Sequence, residues 1–221
     1  MTDPGTDAAL EYVTEGATLG LGTGRAAEDF VRGLGERVKA GLRVRGVPTS
    51  ERTAALAREL GIPLARLDEV DAIDVTFDGA DEFDPSLDLI KGYGGAMVRE
   101  KIVAASSGKL VILVGPEKRV PVLGSRGKLP VEVLPFGEVL CRARLRELGC
   151  EPERRQDEDG EPWVTDNGNW VLDCKIAPIE NPSDLERAII SIPGVLGTGL
   201  FVGMADVVIV RDGDRFERLT R

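Results

Sequence analysis

Residues 17–24 read A-T-L-G-L-G-T-G and run directly into R-A-A-E-D-F-V-R-G-L-G-E-R-V-K at 25–39. A short apolar run, Ala17 to Gly22, closes on a glycine-rich turn, and apolar residues then recur at helical spacing from Arg25 to Lys39. The stretch therefore predicts strand, tight turn and helix. The pattern repeats downstream: Leu42–Val47, Ala72–Phe77 and Leu110–Val114 read as strands, and Ser50–Leu60 and Ala96–Ser106 as helices between them. Thr49 and Ser50 supply start signals for the helix that follows them, and Gly61 before Ile62-Pro63 supplies its stop. Strands alternating with helices call for a parallel sheet.

After Lys128 the texture changes. Leu129–Val133 is a strand containing Pro130, a helix follows over 138–148, and Glu153–Glu161 reads as a charged connection tipped by Gly160. Trp163–Thr165, the turn Asp166-Asn167-Gly168, and Asn169–Lys175 suggest a hairpin, because Asn and Gly tolerate the left-handed backbone such turns need. Asn181-Pro182-Ser183-Asp184 opens another helix, and the apolar run Ala205–Val210 reads as a strand returning to the first sheet. The expected organisation is a discontinuous main domain, residues 1–129 plus 205–221, with a small unit at 130–204.

Composition narrows the function. The 221 residues carry 28 Lys plus Arg against 38 Asp plus Glu, a formal net charge of −10 with no basic block, which argues against nucleic acid as a partner. No run of 18 apolar residues occurs, and the opening M-T-D-P-G-T-D has neither a basic nor an apolar targeting region. The expectation is a cytoplasmic protein with no membrane partner. Cys141, Cys150 and Cys174 form no C-x-x-C pair and read as free thiols. The chain has no His, which excludes Ser-His-Asp triads, Cys-His dyads and the commonest zinc sites. Acid/base chemistry falls to Asp, Glu, Lys or Tyr.

Four stretches could carry that chemistry. Gly20–Gly24 ends the first strand and opens a helix, where free N–H groups favour an anion such as phosphate; the same residues also fit a tight turn with no ligand. Its G-x-G-x-G spacing is not a dinucleotide fingerprint. Asp78-Gly79-Ala80-Asp81 follows the third strand, placing two carboxylates at the carboxyl end of a sheet, either to bind hydroxyls and move protons or as an Asp-rich turn. Lys91-Gly92-Tyr93-Gly94-Gly95 leads into a helix on which Glu100 shares a face with Ala96, Met97, Val103 and Ala104. Desolvation on that face would raise the pKa of a carboxylate toward the range of a general base; the plainer alternative is a wet helix edge or a pair with Arg99 or Lys101. Lys118 follows the fourth strand and reads as a phosphate or enediolate partner, or as a solvated charge.

Taken together, G-L-G-T-G at 20–24, D-G-A-D-E at 78–82, I-K-G-Y-G-G-A at 90–96, R-E-K-I-V at 99–103, L-P-V-E-V at 129–133, T-D-N-G-N at 165–169, I-P-G-V at 192–195 and G-L-F-V-G-M-A-D-V-V-I-V from 199 resemble the type A ribose-5-phosphate isomerases. The motifs come in that family's order along nearly the whole chain. The resemblance implies an α/β fold, a Rossmann-like parallel-sheet domain with a small inserted α+β lid, assembled as a homodimer or homotetramer. It further implies catalysis without metal or cofactor, interconverting ribose 5-phosphate and ribulose 5-phosphate in the non-oxidative branch of the pentose phosphate pathway. Residue by residue, Glu100 would accept the proton, Asp78 and Asp81 would bind hydroxyls and assist ring opening, and Lys91 would supply positive charge with Lys118. Thr23, Gly24, Arg25 and Ala26 would line the phosphate end, with Gly79, Ala80, Gly92, Tyr93 and Gly94 along the rest of the site. The family's usual G-T-G-S-T turn is here Gly22-Thr23-Gly24-Arg25-Ala26, so two hydroxyls give way to one guanidinium. Lysines usual near the amino terminus are replaced by Thr6-Asp7. The same fold also serves as a sugar-phosphate sensor in repressors, a non-catalytic alternative that requires a DNA-reading module.

Overall fold

The computed structural model describes residues 4–221; the expected first domain begins with residues 1–3, which lie outside the described residues. In chain order the elements are α1 (Pro4–Leu10), β1 (Thr18–Leu21), α2 (Arg25–Lys39), β2 (Arg45–Pro48), α3 (Glu51–Glu59), β3 (Val75–Asp78), β4 (Glu82–Phe83), β5 (Leu89–Ile90) and α4 (Met97–Ala105). They continue with β6 (Leu110–Val114), β7 (Lys128–Val133), α5 (Glu138–Glu147), β8 (Glu151–Arg154), β9 (Trp170–Lys175), α6 (Pro182–Ile190), β10 (Val195–Thr198), β11 (Leu200–Phe201), β12 (Val207–Asp212) and β13 (Arg215–Thr220). The chain divides into two compact units: one takes in the chain up to Ala80, Arg99–Lys118 and Met204–Arg221, the other Asp81–Val98 and Arg119–Gly203.

The first unit is built on a six-stranded sheet in the order β13-β12-β6-β3-β1-β2. β2, β1, β3, β6 and β12 run parallel, and β13 closes the edge antiparallel to β12. The α/β fold class stands, and the last apolar run does return to the first sheet. Its core follows from β-strands that are apolar on both faces and helices that are apolar on one. Leu19, Leu21, Phe30, Val31, Leu34 and Phe77 are buried there, and the Phe30 ring of α2 stacks on Phe77 of β3 with centroids 4.0 Å apart. Gly20 is small for a reason: a Cβ there would sit 1.9 Å from Thr76 Oγ1 and 2.7 Å from Val103 Cγ1, so its absence lets α4 press against β1. The expected strand Leu42–Val47 starts late. Gly41, at φ 108, and the Leu42 N–H returning to Arg37 O terminate α2 there, so the extended run begins only at Arg45.

The second unit has a four-stranded antiparallel sheet, β10-β7-β9-β8, and a three-stranded one, β11-β5-β4. Its core gathers Leu129, Val131 and Val133 of β7, Leu172 and Cys174 of β9, Cys141 and Leu145 of α5 and Ile189 of α6. All three cysteines are buried and free. The unit reaches beyond the expected 130–204. Residues 81–98 and 119–129 belong to it because β5 pairs with β11, Phe83 bridges to Arg119, and β7 already begins at Lys128. The expected hairpin is also different: Thr165 N–H reaches Asn169 O across the turn and Val164 bridges Trp170, but β9 pairs along its length with β7 and β8. The segment read as a charged connection begins inside a strand, since Glu153 and Arg154 are the last two residues of β8.

One buried charge explains the T-D-N-G-N turn. Glu132 of β7 is fully buried, and its Oε1 accepts from Thr165 Oγ1 at 3.0 Å, Asn167 Nδ2 at 3.0 Å and Asn169 Nδ2 at 2.8 Å. Three neutral donors on one oxygen disperse the charge and hold the turn against the strand. Removing the carboxylate would leave the buried donors of Thr165 and Asn169 without that acceptor. Glu132→Leu should lower stability by about 3 kcal/mol, read as a shift in the urea midpoint at unchanged slope; a shift under about 0.5 kcal/mol would contradict this role for Glu132.

Candidate active site

In the first unit the expected residues gather at the carboxyl ends of β1, β3 and β6, where parallel sheets present ligand sites. Asp78 ends β3 and is 1% exposed. Its Oδ1 accepts the peptide N–H groups of Gly79 at 2.7 Å and Thr23 at 3.1 Å. Gly22 makes that approach possible, since a Cβ on it would lie 2.3 Å from the Asp78 carboxyl carbon. The glycine-rich turn is therefore shaped first around a carboxylate.

Thr23 serves the fold rather than facing outward. Besides giving its N–H to Asp78, its Oγ1 lies 2.8 Å from both Thr49 Oγ1 and Ser50 Oγ and 3.3 Å from Thr53 Oγ1. Thr49, Ser50 and Thr53 are buried, and Thr53 Oγ1 donates to Gly22 O. This hydroxyl cluster ties the start of α3 to the back of the turn. The sequence reading took Thr49 and Ser50 only as helix-start signals; Ser50 does cap α3, accepting from Thr53 N–H. Gly24, Arg25 and Ala26 form the outward part of the turn. Gly24, at φ 108, caps α2 with no side chain, so the first N–H groups of this 15-residue helix have no side-chain acceptor at the cap and face an anion's natural position. Arg25 is exposed at the first position of α2.

Glu100 stands in the first turn of α4 and is 4% exposed. Val103, one turn later on the same face, packs at the position of Gly20 in β1. A helix crossing between parallel strands runs opposite to them, so Glu100 lies toward the rim that carries Asp78. The burial expected from the helical wheel is present. Lys118 closes a short helical turn after β6 and is half-buried on the same rim.

The second unit holds the other expected residues. Asp81 Oδ2 accepts the N–H of Tyr93 at 2.9 Å, and the Asp81 N–H goes to Ile90 O. Lys91 is 3% exposed, its N–H bonds Gly199 O, and its ammonium lies 5.4 Å from the centroid of Phe201. Gly92 and Gly95 adopt positive φ, 97° and 82°, so only glycine fits this loop without strain. Gly94 is exposed. Burial, with the Glu82 and Asp81 carboxylates beside it, pushes the Tyr93 phenol above its ordinary value. It stays protonated at neutral pH and donates to Lys128 O at 3.4 Å, a weak bond that suits a wall better than an acid.

Sequence reasoning missed Arg155 and Asp173. Arg155 reaches the carbonyls of Gly92 and Tyr93, and Asp173 grips Arg155 with both oxygens. Neither lies in a recognisable motif. Among the described residues no three His, Cys, Asp or Glu side chains come together as a metal site, and no helix is long and apolar enough to cross a membrane.

Known proteins share this fold. The family profile described as Ribose 5-phosphate isomerase A (phosphoriboisomerase A) matches residues 45–215. The Ribose-5-phosphate isomerase A of Roseiflexus castenholzii is 54% identical over 208 residues, covering 93% of this chain and 89% of its own. A solved D-ribose-5-phosphate isomerase in complex with phospho-erythronic acid superposes with a TM-score of 0.94 at 40% identity, covering 98% of this chain and 96% of the other. The ribose 5-phosphate isomerase A of Methanocaldococcus jannaschii gives 0.93 at 38% identity, with 98% and 96% covered. With residues 45–215 matched by the profile and 93% of its length covered by a curated relative at 54% identity, the chain belongs to the ribose 5-phosphate isomerase A family of enzymes.

Proposed function

We propose that the chain interconverts D-ribose 5-phosphate and D-ribulose 5-phosphate through a cis-enediolate, with Glu100 as the proton acceptor. The observation that carries this reading is a carboxylate buried in the first turn of α4, on the rim where Asp78 ends β3. Family membership supplies the substrate. A relative was solved in complex with phospho-erythronic acid, a four-carbon acid that joins a planar carboxylate to a phosphate, as the enediolate of a sugar phosphate joins a planar anionic centre to one.

The sugar arrives largely as a ring, and opening needs a proton taken from the anomeric hydroxyl and one returned to the ring oxygen. Asp78 and Asp81 take these parts. Glu100 then removes the C2 proton of the linear aldose, the electron pair moves into a C1–C2 double bond, and the carbonyl oxygen becomes anionic. Lys91 and the N–H groups of the Gly92–Gly95 loop stabilise that oxygen. The O2 hydroxyl proton passes to O1 as the C2–O bond becomes the carbonyl, and delivery of the proton from Glu100 to C1 completes the ketose, so atoms and electrons balance without an oxidant or reductant. The phosphate is held by the open N-terminus of α2, by Arg25 and by Lys118. A guanidinium offers a planar fork to phosphate oxygens, which suits Arg25 to replace the family's usual hydroxyls.

Self-association has a surface available to it. Phe136 is 97% exposed and Val139 79%, with Leu134 and Leu140 also exposed nearby in sequence, an apolar grouping of the kind that partners cover.

Purified protein should convert ribose 5-phosphate to ketose in excess EDTA, and Glu100→Gln should keep its fold and KM while losing about 10³-fold in kcat. Near-normal turnover by the variant would remove Glu100 from the mechanism; activity lost in EDTA and restored by a metal would contradict cofactor-free catalysis. If ribose 5-phosphate raises the melting temperature of a protein that never turns it over, the chain is a sensor. Arg25→Ala should raise KM about tenfold or more at little change in kcat, and an unchanged KM would take Arg25 out of phosphate binding.

A further inference from the structure

Arg155 lies immediately after β8 with its side chain 12% exposed, and each of its three nitrogens donates a hydrogen bond. Nε and Nη2 bind Asp173 Oδ2 at 2.9 Å and Oδ1 at 2.6 Å, a two-point grip that fixes the guanidinium plane. Nη1 donates to Tyr93 O at 3.0 Å and Nη2 also to Gly92 O at 3.3 Å. The anchor is secured in turn: Lys128 Nζ lies 3.0 Å from Asp173 Oδ2. Burial alone would raise the Asp173 carboxyl, but Arg155 and Lys128 outweigh it and hold the group below its ordinary value, so the grip persists through the neutral range. Trp163 packs 5.3 Å from the guanidinium and fills the space that a Cβ on Gly95 would need, with Cη2 2.1 Å from that position.

What the fork does follows from peptide geometry. In a trans peptide the C=O and the N–H of the next residue point in opposite directions, and no cis peptide is present among the described residues. By holding Gly92 O and Tyr93 O on one side, Arg155 turns the N–H groups of Tyr93 and Gly94 to the other. The first consequence is visible, since Tyr93 N–H bonds Asp81 Oδ2 at 2.9 Å. The second is that Gly94, which is exposed, presents its N–H on the side away from Arg155. We infer that Arg155 is a positioning residue for the isomerase reaction: its fork on the Gly92 and Tyr93 carbonyls aims the Gly94 N–H at the developing oxyanion and the Tyr93 N–H at Asp81.

The inference rests on the isomerase reading and sharpens it. A lysine at 155 keeps the charge but presents one nitrogen, which cannot span both Asp173 oxygens and both carbonyls. Arg155→Lys should lower kcat about ten- to hundredfold, the size of effect expected when a donor is misplaced by about 1 Å, with KM for ribose 5-phosphate changed less than about threefold. Inhibition by phospho-erythronic acid, a carboxylate-bearing sugar phosphate offered as a stand-in for the anionic intermediate, should weaken in parallel with kcat, and guanidinium ion should restore part of the kcat of Arg155→Ala. A structural role alone would lower the melting temperature without separating kcat from KM. Should Arg155→Lys not fold, Asp173→Asn, which leaves the guanidinium but loosens its anchor, is read in the same way. If wild type turns over and the folded variant keeps kcat within about twofold, or changes only KM, this inference is overturned and the isomerase reading stands. If wild type does not turn over, both fall.

Discussion

The carboxylate of Asp78, 1% exposed at the end of β3, accepts the peptide N–H groups of Thr23 and Gly79, and the rim of the first unit is arranged around it. A buried carboxylate is costly unless it is hydrogen-bonded, so the chain must bring peptide N–H groups to it. Gly22 is the residue that allows this, because any side chain there would occupy the carboxyl group's own space. Once Thr23 is turned inward, its hydroxyl joins those of Thr49, Ser50 and Thr53, and Gly24 is left to open α2 with its first N–H groups facing outward. One buried carboxylate thus sets both the turn that follows β1 and the open end of α2.

The second unit uses the same device twice. Glu132 gathers the T-D-N-G-N turn onto β7, and the Asp173–Arg155 pair gathers the K-G-Y-G-G loop. In each, a charged group surrounded by donors or acceptors fixes backbone that has no regular structure of its own. Exposed ion pairs such as Lys39–Glu36 or Lys175–Glu151 are screened and weak by comparison. The ordering matters for chemistry because a loop with Gly92, Gly94 and Gly95 has ample conformational freedom to lose, and catalysis by peptide N–H groups depends on their direction being set in advance.

Much of this was legible in the sequence, for identifiable reasons. Arg25–Lys39 and Leu110–Val114 carry strong periodicity or unbroken apolar runs, and both elements fall where that pattern places them. Glu100 was legible because a carboxylate among Ala96, Met97, Val103 and Ala104 breaks the pattern of a buried face. The pattern fails where burial and charge coincide. Arg155, Glu132 and Asp173 look like the many solvated charges around them, since only tertiary contacts reveal which charges are enclosed. β13 was hidden for the opposite reason: R-F-E-R-L-T at an exposed edge has no apolar face to announce it. Thr23 read as lining for the phosphate end; the carboxylate that its N–H binds and the hydroxyl cluster behind it come from tertiary contacts that the turn's sequence does not display.

The central claim is that a single carboxylate moves a proton between C2 and C1 on one face of an enediolate. Turnover of ribose 5-phosphate in deuterium oxide, followed by proton NMR of the ketose, tests it most directly, because a proton resting on a carboxylate exchanges with solvent. Deuterium at one prochiral position of C1, and only there, is the expected outcome. Deuterium spread over both C1 positions would break the one-face account, and a C2 hydrogen carried to C1 in every turnover without exchange would point to hydride transfer instead.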